Sequence, residues 1–208
     1  DGGLLVARED GAILRGEGED DGNSWTELGE LADVRAIEGD FVAAESGVYR
    51  ATSIAQNATK TADGGASSAG LHHVGLDDAR DVSAAGVPLA ATGSGLYKLG
   101  NGWMKERKGG FRAVSAADGD APGLGWAHAA GELGLLVHED GEWRKEELPV
   151  AGEVVALDHG ENDRASEAEG GRSGVYAVTD DGTFLLSVGD GWNHQILGLR
   201  GVTAVAAP

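Results

Sequence analysis

Short apolar runs separated by polar, glycine-centred turns fill this chain, and the alternation is periodic. The clearest mark of the period is Val, any residue, Ala, then an apolar residue. It reads Val34-Arg35-Ala36-Ile37, Val82-Ser83-Ala84-Ala85, Val114-Ser115-Ala116-Ala117, Val154-Val155-Ala156-Leu157 and Val202-Thr203-Ala204-Val205. The copies stand 48, 32, 40 and 48 residues apart, a spacing near forty that belongs to repeat folds. Between copies lie pairs of β-rich runs joined by polar residues and Gly, at 5–14, 42–50, 89–98 and 176–185, with a looser pair at 126–136. Such pairs predict β-hairpins. A further strand follows and carries Trp25, Trp103, Trp143 or Trp192; the second unit has Leu71-His72-His73-Val74 in that place.

Each unit therefore predicts a four-stranded antiparallel blade, with strands a to d running from the axis outward. Five blades in 208 residues average about 42 residues each, a usual length for a propeller blade. Side-chain size agrees, because inner strands crowd the axis and carry Ala while outer strands have room for Trp. The predicted architecture is one all-β domain over 1–208, a five-bladed propeller. Its first unit starts at a strand b, Leu4 to Arg8, and its last strand a, Val202 to Ala206, has no blade after it. The expectation is that this last strand pairs into the N-terminal blade, closing the ring and removing an unpaired inner edge. The first residue is Asp1 rather than Met, which leaves room for residues before it.

Charge changes the picture of the setting. The chain has 35 acidic and 16 basic residues, a net charge of −19. Such a surface repels nucleic acid and anionic membranes. It also repels itself unless salt screens it, so the predicted setting is the salt-filled cytoplasm of a halophilic archaeon. With no Cys there is no disulfide or thiolate chemistry. No apolar run approaches the length of a membrane-spanning helix, and no signal peptide is legible. The basic run Lys105-Glu106-Arg107-Lys108 and the run Glu142 to Glu146 read as charged outer strands that block edge-to-edge pairing.

Two stretches break the repeat. Residues 51–70 are rich in Ala, Ser, Thr and Gly and join strands c and d of the second blade; residues 158–173 carry Glu161, Asp163, Glu167 and Glu169 and join strands a and b of the fifth. Strands alternate in direction, so both insertions are expected on one face of the disc, where loops on a rigid scaffold often carry function.

The order of apolar strand, acidic turn, Gly-apolar-Tyr and then Asp-x-Gly-x-Ser/Thr-Trp resembles the Asp-box repeats of sialidase-type propellers. The fullest copy is Asp20-Asp21-Gly22-Asn23-Ser24-Trp25, with Gly18 in place of the motif's first Ser; Asn101-Gly102-Trp103, Asp140-Gly141-Glu142-Trp143 and Asp190-Gly191-Trp192 are degenerate. The whole chain also resembles a haloarchaeal β-propeller family. The resemblance implies the fold and implies that Asp boxes are scaffold, tying c–d hairpins away from any catalytic centre. It does not carry an active site across, since sialidases have six blades and a Tyr nucleophile, whereas Tyr49, Tyr97 and Tyr176 fall here at blade-core positions. The expected function is a non-catalytic interaction scaffold with a protein partner.

One column of residues offers an alternative. Asp33, Asp81 and Glu153 immediately precede the repeated Val in three units, and Arg35 sits beside them. If they ring the channel mouth, they form a cation or carbohydrate site, with Ca²⁺ as a hard cation for such oxygens or with two carboxylates as a hydrolytic acid and base. A simple ion-pair ring with Arg35, Arg80 and Arg112 accounts for the same residues. The six His offer less. His72 and His73 are adjacent and point to opposite faces of a strand, and His128, His138, His159 and His194 show no ligand spacing. No nucleophile elbow, P-loop or dinucleotide fingerprint occurs.

Overall fold

The computed structural model describes residues 4–17, 24–52, 70–117, 123–160, 174–187 and 191–207. They form five antiparallel sheets and no helix. The first blade holds β1 (Leu4–Ala7), β2 (Ala12–Glu17) and β3 (Ser24–Glu30). The second holds β4 (Val34–Glu38), β5 (Phe41–Ala44), β6 (Gly47–Thr52) and β7 (Gly70–Gly75). The third holds β8 (Ala79–Ser83), β9 (Leu89–Thr92), β10 (Gly95–Leu99) and β11 (Trp103–Lys108). The fourth holds β12 (Phe111–Ala116), β13 (Ala127–Gly131), β14 (Gly134–Glu139) and β15 (Glu142–Glu146), and the fifth β16 (Val154–His159), β17 (Val175–Thr179), β18 (Thr183–Ser187) and β19 (Trp192–Ile196). Each strand pairs with its chain neighbour, so the hairpins read from the sequence are the sheets of the protein. The charged runs at 105–108 and 142–146 are outer strands, as expected. Most of the two insertions, 53–69 and 161–173, lies outside the described residues.

The core is divided among the interfaces between blades. Ile13, Leu31 and Val42 bury the first against the second; Phe41, Val48 and Val82 the second against the third. Leu96, Phe111 and Val114 join the third to the fourth, and Ala130, Leu157 and Val175 the fourth to the fifth. Three of the four outer-strand tryptophans follow one rule: Trp103, Trp143 and Trp192 each pack into the interface with the preceding blade. Leu71 of β7 does the same for the second blade, which is why that unit needs no Trp. Arg15, buried in β2, pairs with Asp40 in the β4–β5 turn and fastens the first blade to the second. Among the described residues no buried cluster joins the fifth blade to the first, and Leu4, Trp25, Ile196 and Leu199 remain exposed.

A β-bulge in each inner strand sets the register. The pairings of β4, β8, β12 and β16 with the next strand skip Arg35, Arg80, Arg112 and Val155 respectively. Aligned on that bulge, the units read Arg35-Ala36-Ile37-Glu38, Arg80-Asp81-Val82-Ser83, Arg112-Ala113-Val114-Ser115 and Val155-Ala156-Leu157-Asp158. The Val-x-Ala motif is thus not one structural position. Its copies at Val82 and Val114 lie three residues further along the inner strand than those at Val34 and Val154.

The last residue of each aligned unit links one blade to the next. Glu38 Oε1 accepts the N–H of Ala84 at 2.8 Å, and Ser83 Oγ accepts that of Ala116 at 3.1 Å. Ser115 Oγ accepts the N–H of His159 at 3.1 Å, and Asp158 Oδ2 that of Ala207 at 2.7 Å. The fourth link ties Ala207 to β16, and residues 203–206 line the same cavity as the inner strands. Among the described residues this segment forms no ladder with β1, whose sheet has three strands.

Candidate functional site

The inner strands enclose a central cavity of about 440 Å³, lined from β4, β8, β12, β16 and residues 203–206. Its volume falls in the range of small-molecule sites. Arg35, Arg80 and Arg112, the three bulge residues, all line it. A bulge re-aims the side chain it carries, so three equivalent bulges set three arginines around one cavity in a chain with few basic residues.

Each guanidinium is anchored by a carboxylate. Arg35 Nη1 reaches Asp78 Oδ1 at 2.5 Å and the Ala79 carbonyl oxygen at 3.3 Å. Arg80 Nη2 holds the other Asp78 oxygen at 3.0 Å, and Arg112 Nη2 lies 2.7 Å from Glu153 Oε2. The hydrogen bond from Arg35, with that from Arg80, outweighs burial and holds the Asp78 carboxyl below its usual range. A guanidinium has five N–H donors, and these contacts leave several on each Arg.

Carboxylates stand further along the same strands. Burial pushes Asp81 up to about 7, against the N–H groups of Val114 and Val82 that its two oxygens accept at 2.8 and 2.9 Å; Glu38 and Asp158 add repulsion. Burial also raises Glu38, against its bonds to Ala84 and Ser83. A strand rises about 3.3 Å per residue, so Glu38 and Asp158, three residues past the bulge, sit roughly 10 Å along the axis from the arginine level.

The four residues read from the sequence separate in space. Asp81 and Arg35 line the cavity. Asp33 is exposed at φ 52 before β4, and Glu153 is exposed, paired with Arg112 and lining a second cavity of about 270 Å³. The expected convergence of Asp33, Asp81 and Glu153 therefore does not occur. The reason is the register shift: Asp81 is equivalent to Ala36, Ala113 and Ala156, one residue past the bulge, while Asp33 and Glu153 fall before the paired strand. The carboxylates that do share the cavity with Asp81 are Glu38 and Asp158. Among the described residues, no group of three or more His, Asp or Glu is arranged to hold a metal ion, so the Ca²⁺ expectation finds no ligand set there. The signal that would have located the arginines is Arg-x-apolar-polar, present at 35–38, 80–83 and 112–115 and hidden by the more conspicuous Val-x-Ala.

No curated protein matches the chain. The model of a propeller family, described as HVO_0234-like beta propeller, matches residues 1–208. Five antiparallel blades arranged around a cavity lined by their inner strands accord with that match over its full length, and the chain belongs to the HVO_0234-like β-propeller family.

Proposed function

We propose that the protein is a non-catalytic binding propeller whose central cavity takes a small ligand bearing a carboxylate or phosphate. The observation that carries this reading is the convergence of Arg35, Arg80 and Arg112, at equivalent bulges, on one cavity. Their anchoring by Asp78 and Glu153 orients the guanidiniums in advance, and oriented guanidiniums suit the planar oxygens of carboxylate and phosphate. The acidic exterior discourages polyanions, which favours a small anion that enters the cavity whole. The interaction-scaffold reading shares the non-catalytic part, but its partner-binding part rests on 51–70 and 158–173, mostly outside the described residues. The acidic composition supports a salt-rich cytoplasm as the setting.

The test is calorimetric titration with inorganic phosphate and with succinate in molar potassium chloride. Chloride is held constant because it competes for the same groups. One saturable site is expected, weakened at least about tenfold in Arg35→Gln and in Arg112→Gln, the loss of roughly one charged hydrogen bond. Absence of binding by both anions, or equal binding by the arginine variants, sinks the proposal.

A further inference from the structure

The fourth and fifth blades share a largely buried run of polar side chains that the arginine cavity does not use. His128 of β13 is buried, and its Nδ1 lies 3.1 Å from Nε2 of His159 at the end of β16. His128 Nε2 lies 3.1 Å from Glu146 Oε2 of β15, and His159 Nδ1 lies 2.9 Å from Ser115 Oγ of β12. Trp126 packs against both rings at 5.2 and 5.0 Å, and Trp192 edge-on against His128 at 6.0 Å. The run Ser115–His159–His128–Glu146 is thus continuous and covered by indoles. Its members stand 44, 31 and 18 residues apart in the chain, so no ligand-like spacing marks them in the sequence.

Counting protons along the run shows what it can hold. With both rings neutral, Ser115 O–H donates to His159 Nδ1, His159 Nε2–H to His128 Nδ1, and His128 Nε2–H to the Glu146 carboxylate. One added proton reverses the first part of the run. His128 then donates from both nitrogens, while His159 accepts at Nε2 and donates from Nδ1 to Ser115 Oγ, whose own hydrogen turns away. Every contact is satisfied in both states. A second proton sets two N–H groups against each other across 3.1 Å in a buried site, where an unmade hydrogen bond and a second charge are both costly.

We propose that this run is a one-proton latch between the fourth and fifth blades, which stays closed with or without one added proton and opens on the second. The surroundings agree. Burial, with the charge of His128, holds His159 down at about 3. Burial works to raise Glu146, but the His128 hydrogen bond and charge overcome it and hold that carboxyl below its usual range. Among the described residues, the other charged groups near the run are Asp158, whose Oδ1 accepts the His159 N–H at 2.9 Å, and Lys145 and Glu147, which flank Glu146 and pair with each other at 3.4 Å. His159 also carries the inter-blade bond from its N–H to Ser115 Oγ, so opening the latch breaks one link between inner strands.

The test follows imidazole nitrogens by NMR in molar potassium chloride as pH falls, with amide hydrogen exchange in parallel. The expected result is one midpoint shared by His128 and His159, with His159 amide protection kept through that step. Protection is then lost with the second proton near pH 3, before that of β8 and β9. Two independent midpoints, each near an unperturbed imidazole, overturn the latch, as does loss of His159 protection at the first step. Glu146→Gln, which keeps the shape and removes the charge, is expected to lower the shared midpoint; an unchanged midpoint counts against the proposal. His159→Gln hydrogen-bonds without titrating and is expected to stay protected where the native protein opens, and opening at the native pH also overturns the idea.

Discussion

The backbone N–H of Ala207 donates to Asp158 Oδ2 at 2.7 Å, across 49 residues of chain. This bond is the last of the four that run from blade to blade, and it holds 203–206 beside the cavity. Deleting residues 201–208 is expected to lower the melting temperature. Asp158→Ala is expected to cost about 1.5–3 kcal/mol, as for a bond to a charged acceptor. The two changes share one contact, so their combined effect should be smaller than the sum. Thermal melts of the single and combined variants check this, and a deletion that keeps the full melting temperature refutes closure by this segment.

Ser83 carries two steps at once, donating to Glu38 Oε1 at 3.1 Å while accepting the N–H of Ala116 at 3.1 Å. Ser83→Ala leaves the Ala116 N–H unpaired in a buried place and takes a partner from Glu38. The expected loss is about 1–3 kcal/mol, read as a lower denaturant midpoint with an unchanged slope. Ser83→Thr keeps the hydroxyl and is the control.

Two buried groups drive stability in opposite directions with pH. His159 is lowered from 6.5 to about 3, so its contribution is present above 6.5 and lost as pH falls toward 3. Asp81 is raised from 3.8 to about 7, so its contribution is present below 3.8 and lost as pH rises through 7. Relative to the native protein, His159→Gln should gain stability as pH falls below 6.5, by up to about 1.4 kcal/mol per unit. Asp81→Asn should gain relative to native as pH rises from 4 to 7 with a similar slope, whatever its constant offset. Denaturant melts across that range check both signs.

The net charge of −19 sets a dependence on salt. Lowering potassium chloride from molar to millimolar lengthens the screening distance roughly thirtyfold, and the melting temperature is expected to fall until the fold is lost. A cooperative native melt at millimolar salt would exclude the halophilic setting.

The fold was legible because blade formation is local. Each strand pairs with its chain neighbour, so the alternation around Gly47, Gly95 and Gly182 and the outer-strand Trp residues sufficed to mark hairpins and blades. The site was only partly legible. The Val-x-Ala motif marks Arg35 and Asp81, but its copies at Val82 and Val114 stand out of register, so it groups Asp33 and Glu153 with Asp81 and gives no sign of Glu38 and Asp158. His128 and His159 carry no mark in the sequence, because spacing along the chain does not record a meeting across two blades.

The number of blades, the order of their strands and the acidic surface can be read from the chain, since these depend on composition and on contacts within about forty residues. Where the bulges fall, which arginines and carboxylates share the cavity, how Ala207 meets Asp158 and how two His rings come within 3.1 Å follow only from the folded arrangement of the blades. A one-residue slip in a strand turns every side chain to the other face. Register is set by packing between blades, and that packing joins residues the repeat places far apart.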